Sequence, residues 1–306
     1  MITADPTKIP AMSETGEATA ILPAPGNKGK PITVIGTHKI RHAFDAICLQ
    51  QALNSRGAPG VTDLVLNPDA HAGYGAPVGC VLVSPTHIYP GPVGVDIKCS
   101  MSLLQLDLPA DAMNDKPVRR ALIDAILERT PTGAGQGQRS AKKSRKVNEV
   151  LGRRAAITGA SAEVCSALGI PENWAHACED AFHRGHDGTQ DSLEERLEQL
   201  LKSGLFKNFA DKVSQLGSYG GGNHFGECEI VRIEDNARAR TAAEKFGLRD
   251  GRVAFLSHCG SRGFGNILAQ GQFRSLQEKF ERWNIPLPGS DRELVYAPLG
   301  TSEADR

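Results

Sequence analysis

The sequence is poor in aromatic residues: Phe, Trp and Tyr make up 5% of its 306 residues. Stacking platforms for single-stranded nucleic acid would therefore be few. Net charge is lacking as well. Lys and Arg together number 35, as do Asp and Glu, which excludes a strongly polyanion-binding overall charge and leaves only a local basic patch for that role. No apolar run approaches the roughly 20 residues of a membrane-spanning helix. The segment before residue 30 lacks the apolar stretch of a signal peptide, so no membrane partner is expected. The seven cysteines (Cys48, Cys80, Cys99, Cys165, Cys178, Cys228, Cys259) include no Cys-x-x-Cys pair, which fits reduced thiols in a cytoplasmic protein. Walker A and dinucleotide fingerprints are both missing, and so is the Lys-x-Asp-Gly motif of lysine-adenylated ligases. Any nucleotide chemistry must use other loops.

Glycine, by contrast, is plentiful at 33 residues, and it clusters. One cluster is Asp69-Ala70-His71-Ala72-Gly73-Tyr74-Gly75, read as a loop between strands at Val61–Leu66 and Val78–Val83. A second is Gly94-Val95-Asp96-Ile97-Lys98-Cys99, a tight connection entering a strand at Met101–Leu106. The third runs from Gly217 through Gly220-Gly221-Gly222-Asn223-His224 to Glu227. The fourth is Ser257-His258-Cys259-Gly260-Ser261-Arg262-Gly263, at the end of a strand over Arg252–Leu256. Three successive glycines lose much conformational entropy on folding, so simple packing rarely calls for them. They suit a backbone closing round a phosphate or a metal, although a hinge with a satisfied histidine is the plainer alternative.

The overall class is α+β: a β-rich core with metal ligands on loops at strand ends, and a helical insertion over about residues 110–215. Residues 1–30 read as a loosely ordered lead-in. Pro31–Ile35 reads as a strand and His42–Leu53 as a helix. Within the insertion, Pro117–Glu128 is a helix with proline in its first turn, and Ser192 with Glu195 reads as a capping box for a helix over Leu193–Lys202. Residues 132–146 are glycine-rich and then basic, either a solvated loop or an arm that meets phosphates. Arg232–Phe246 and Ala269–Trp283 are expected to be helical.

The donor atoms form a chemically coherent set. Asp96 offers a hard oxygen, Cys99 a thiolate able to bridge two metals, and His224 and His258 offer imidazole nitrogens, a combination suited to a divalent transition metal. Each has a bland alternative: Asp96 capping a turn, Cys99 buried, each histidine satisfied in the core. Arg262, flanked by glycine close to His258, has forked donors that match phosphate oxygens. Asp69 either orients a ligand, contacts nucleic-acid hydroxyls or caps a turn.

Taken together, the stretches Pro68–Gly75, Val93–Cys99, Gly222–Glu227 and His258–Gly265 resemble the RtcB family of GTP-dependent RNA ligases, in the family's order. The resemblance implies joining of RNA 3′-phosphate or 2′,3′-cyclic phosphate ends to 5′-hydroxyl ends through a GMP-activated intermediate, in tRNA splicing or RNA repair. It implies GTP and two Mn²⁺ ions as cofactors, and RNA and an activating protein as partners. It assigns Asp96, Cys99 and His224 to one manganese, with Cys99 bridging to a second that His258 also binds. Asn223 would contact the nucleotide phosphate, Glu227 the guanine base and Arg262 a phosphate, while Asp69 would support the site. Lys98 and Ser100 depart from the family, which commonly has small residues there, and Lys98 is expected to point away from the metals. The family's further metal-binding histidine and its nucleophilic histidine belong beyond the matched region, and no histidine follows His258. Residues 31–306 are therefore expected to be a partial ligase domain with its C-terminal part missing. A metal-dependent phosphoesterase and a non-catalytic RNA-binding remnant are the alternatives.

Overall fold

The computed structural model describes residues 5–135, 137–140, 142, 145–171, 173, 190–204 and 207–304. The chain divides into two compact units, residues Met1–Ile97 with Ile267–Arg306, and residues Lys98–Asn266.

The first unit is organised by a five-stranded sheet of β1 (Ser13–Gly16), β2 (Thr19–Leu22), β3 (Ile32–Ile35), β4 (Asp63–His71) and β5 (Val78–Val83), in that order. All neighbours are antiparallel except β3 and β4, which run parallel. A parallel pair needs a crossover, and the helix Ala46–Arg56 lies in that connection. Its N-terminus is fixed by Asp45, whose carboxylate accepts from the Cys48 amide at 2.7 Å, satisfying one of the first-turn donors. The helix buries Cys48, Leu49, Ala52 and Leu53 against Ala20, Leu22, Ile32, Val34, Leu64 and Leu66. Alternation in the strands turns those residues to one face. Two short strands, β6 (His87–Ile88) and a partner at Ala297–Pro298, form a separate antiparallel pair.

Two expectations change here. Residues 13–22 are not a loose lead-in but two strands, and Ala20 and Leu22 are fully buried. Four-residue strands are too short for periodicity to reveal beside the surrounding prolines and glycines. The strand before Gly73 runs on through Asp69 and His71, so these lie in β4 rather than in a loop. A register irregularity between Leu66 and His71 hides that extension from the alternation pattern.

The second unit carries a three-stranded antiparallel sheet in which β7 (Ser100–Pro109) and β8 (Phe225–Ile230) flank β9 (Arg252–Cys259). Helices Lys116–Arg129, Glu149–Thr158, Ala162–Ala167, Gln190–Lys202 and Phe209–Val213 occupy the chain between β7 and β8. Pro117 sits in the first turn of its helix. Ser192, however, lies inside the helix Gln190–Lys202, so it does not begin that helix as a capping residue. The helix expected from Arg232 starts only at Ala237, where the Asn236 side chain accepts from the Ala239 amide at 2.8 Å. The last long helix, Arg262–Trp283, begins earlier than expected, at Arg262 itself. Part of the basic stretch 132–146 lies outside the described residues.

Candidate metal centre

The register of the three-stranded sheet places the site. His258, next to last in β9, pairs with Met101 on β7 and with Phe225 on β8. Paired residues share a sheet face, and the Phe225 and His258 rings meet edge to face with centroids 5.5 Å apart. β7 starts at Ser100, so Cys99 arrives at the same end of the sheet. His224 immediately precedes β8 and joins them there.

At this end Cys99 Sγ lies 3.6 Å from His224 Nε2 and 3.1 Å from His258 Nε2. The two imidazoles are 5.6 Å apart between centroids and steeply inclined, with the sulfur reaching both. Asp96, three residues before Cys99, adds its carboxylate: one donor atom each of Asp96, Cys99 and His224 all fall within 4.8 Å of one another. Between the two side chains Lys98 adopts a φ of 66°, a left-handed conformation that costs a non-glycine residue roughly 1 kcal/mol.

Oxygen, sulfur and nitrogen donors converging in this way fit a divalent transition metal. The hydrogen bonding around the site supports that use. Nδ1 of His224 lies 2.8 Å from the Tyr219 carbonyl. With the proton on Nδ1 donated to that oxygen, Nε2 is left with its lone pair toward Cys99, the arrangement that orients metal-binding histidines.

The glycine-rich loop has a further role in the structure. Gly220 has a φ of 81°, and a Cβ placed there would fall about 1.9 Å from the Arg262 guanidinium. Only glycine lets the arginine lie flat against the loop. Arg262 is itself left-handed, with φ 58°, and its Nε is buried with no hydrogen-bond partner among the described residues. A buried guanidinium nitrogen without an acceptor calls for one, and an anionic oxygen would supply it.

The remaining sequence-predicted residues are more dispersed. Asn223 is an exposed turn residue directly before His224. Glu227, in β8, pairs with Leu256 and so lies on the same sheet face as His258. Asp69 sits in β4 of the first unit, where its carbonyl is 2.7 Å from His71 Nδ1, and it is not among the three grouped donors. Three residues were given no role by the sequence reading: Tyr219, Ser257 and Pro131. The Tyr219 hydroxyl donates to Ser257 Oγ at 2.5 Å, and its amide donates to the Pro131 carbonyl at 2.8 Å. Each is an ordinary residue whose importance appears only once two distant segments meet.

The fold and site thus define an α+β protein with a cysteine-centred candidate metal site at one end of a small antiparallel sheet. Comparison with known proteins specifies the family: the model for tRNA-splicing ligase RtcB matches residues 51–306, and the chain belongs to the RtcB family. Among curated relatives, the tRNA-splicing ligase RtcB of Archaeoglobus fulgidus is 32% identical over 273 residues, covering 87% of this chain and 51% of that protein. Its counterpart in Thermococcus kodakarensis is 30% identical over 262 residues, covering 84% and 49%. The RNA-splicing ligase RtcB homolog 1 of Entamoeba histolytica is 31% identical over 229 residues, covering 73% and 39%. The chain spans about half the length of the first two relatives. No helix among the described residues is long and apolar enough to cross a membrane.

Proposed function

We propose that this chain provides the metal- and nucleotide-holding part of a GTP-dependent RNA ligase, one that joins RNA 3′-phosphate or 2′,3′-cyclic phosphate ends to 5′-hydroxyl ends in tRNA splicing or RNA repair. The observation that carries the reading is the position of Cys99 Sγ, within reach of both His224 Nε2 and His258 Nε2. Asp96, Cys99 and His224 would hold one Mn²⁺, and Cys99 with His258 would contribute to a second. Bound divalent cations would neutralise charge on the phosphate oxygens and on the leaving pyrophosphate.

The chain's own residues then have separable tasks. Arg262 presents its guanidinium to a phosphate, for which the buried Nε supplies the electrostatic demand. Asn223 contacts the phosphate of GTP, and Glu227 accepts from the guanine base. Asp69, which lies in β4, is assigned a supporting role on the family resemblance alone. The partners are GTP, RNA with the matching ends and an activating protein, and the location is the cytoplasm. Residues 31–306 act as part of a ligase domain.

Labelled GTP with and without Mn²⁺ tests the proposal. The expected result is Mn²⁺-dependent GTP binding, weakened at least about tenfold by Asn223→Ala or Glu227→Ala. GTP binding indifferent to Mn²⁺ and unchanged in both variants would contradict the proposal. Hydrolysis of 2′,3′-cyclic phosphate ends that disappears in Cys99→Ala would replace the ligase reading with a phosphoesterase. RNA affinity indifferent to a chelator would instead leave a non-catalytic RNA-binding protein.

A further inference from the structure

The two histidines that approach Cys99 come from different segments, a loop before β8 and the end of β9, and one residue touches the support of both. Tyr219 accepts from His224 Nδ1 through its carbonyl at 2.8 Å. Its phenol reaches across to β9 and donates to Ser257 Oγ at 2.5 Å, one residue before His258. Its amide donates to the Pro131 carbonyl at 2.8 Å, and the adjoining Gly133 amide donates to the Gly220 carbonyl at 2.5 Å. The loop is thus strapped on one side to the chain after the helix Lys116–Arg129 and on the other to β9. The phenol is half-buried, and a phenolic O–H is a hydrogen-bond donor at neutral pH. Ser257 Oγ in turn lies 3.9 Å from Cys259 Sγ.

We propose that Tyr219 is a positioning residue for the metal centre, one that sets the spacing of His224 and His258 on either side of Cys99. The carbonyl fixes the orientation of the His224 ring, and the hydroxyl holds the loop in register with β9. Removing the hydroxyl alone should leave the carbonyl bond formed while freeing the loop to shift relative to His258. This inference rests on the metal reading of the site, and cobalt distinguishes the failure of one from the failure of the other, because thiolate ligation to Co²⁺ gives a charge-transfer absorption and the d–d bands report coordination geometry.

The whole chain, reduced and free of other metals, is titrated with Co²⁺ alone as wild type, Tyr219→Phe, Ser257→Ala, the double variant and Ser257→Thr. Thermal unfolding of each metal-free protein is recorded in parallel. We expect Tyr219→Phe and Ser257→Ala each to weaken Co²⁺ binding about tenfold and to alter the d–d bands. The double variant should bind no more weakly than either single one, since both delete the same bond. Ser257→Thr keeps the hydroxyl acceptor and should restore wild-type affinity and spectrum. Wild-type cobalt spectra and affinities in both Tyr219→Phe and Ser257→Ala would overturn the proposal, whether or not those variants melt earlier. Additive losses in the double variant would also overturn it. Absence of thiolate charge transfer in the wild type would remove the metal reading itself, and the positioning role with it.

Discussion

The two sheets of this protein are built on opposite principles. In the five-stranded sheet the inward residues are sealed: Leu22, Ile32, Val34 and Leu66 are all 0% exposed beneath the helix Ala46–Arg56. In the three-stranded sheet all six residues of β8 are exposed, as are the first five of β7, with Met101 at 52% and Leu103 at 44%. Only the central strand approaches burial, through Val253 and Ala254. The first sheet uses its side chains to exclude water and supply stability. The second holds ligand-bearing residues in register while contributing much less apolar burial, and its rigidity comes mainly from backbone pairing and from specific bonds such as that from Tyr219 to Ser257.

Thiol reactivity should show the widest gap between the regions. Burial pushes Cys48 up to about 12 and Cys80 up to about 11, whereas Cys99 is exposed. Since the thiolate is the reactive species, iodoacetamide at pH 8 should modify Cys99 at least about a hundredfold faster than Cys48, as read by peptide mass spectrometry. Comparable rates would show that the first sheet opens readily.

Core truncation comes next. Leu66→Ala should cost about 2–5 kcal/mol in urea unfolding, the range for a large apolar side chain removed from a sealed core. Leu103→Ala, from an exposed strand position, should cost under about 1 kcal/mol. Equal losses would erase the distinction between the sheets.

Within the site region, Gly220→Ala should destabilise by about 2 kcal/mol, because it combines a positive φ with displacement of the Arg262 guanidinium. The smallest effect runs the other way. Lys98→Gly should stabilise by up to about 1 kcal/mol, relieving the left-handed conformation at φ 66°. A loss of stability there would mean that the lysine side chain contributes more than its backbone state costs.

The sequence reveals the two regions unequally. Val78–Val83 was legible because an apolar run bounded by turn residues reads as a strand. The donor set Asp96, Cys99, His224 and His258 was legible because strong ligands stood among glycines, and the structure brings Cys99 to both histidines. The strands at Ser13–Gly16 and Thr19–Leu22 were missed, since four residues carry too little pattern. Asp69 was assigned to a loop because an irregular register masks the continuation of β4. Tyr219 and Pro131 stayed invisible for a deeper reason: their roles rest on hydrogen bonds between segments far apart in sequence, and no local pattern encodes such a meeting.

The central claim is that Cys99 is the shared donor of a metal site completed by Asp96, His224 and His258. Crystals of the whole chain soaked in Mn²⁺ and measured at the manganese absorption edge test it most directly. The account predicts an anomalous peak within bonding distance of Asp96, Cys99 Sγ and His224 Nε2. Manganese bound elsewhere, with none at Cys99, would contradict it.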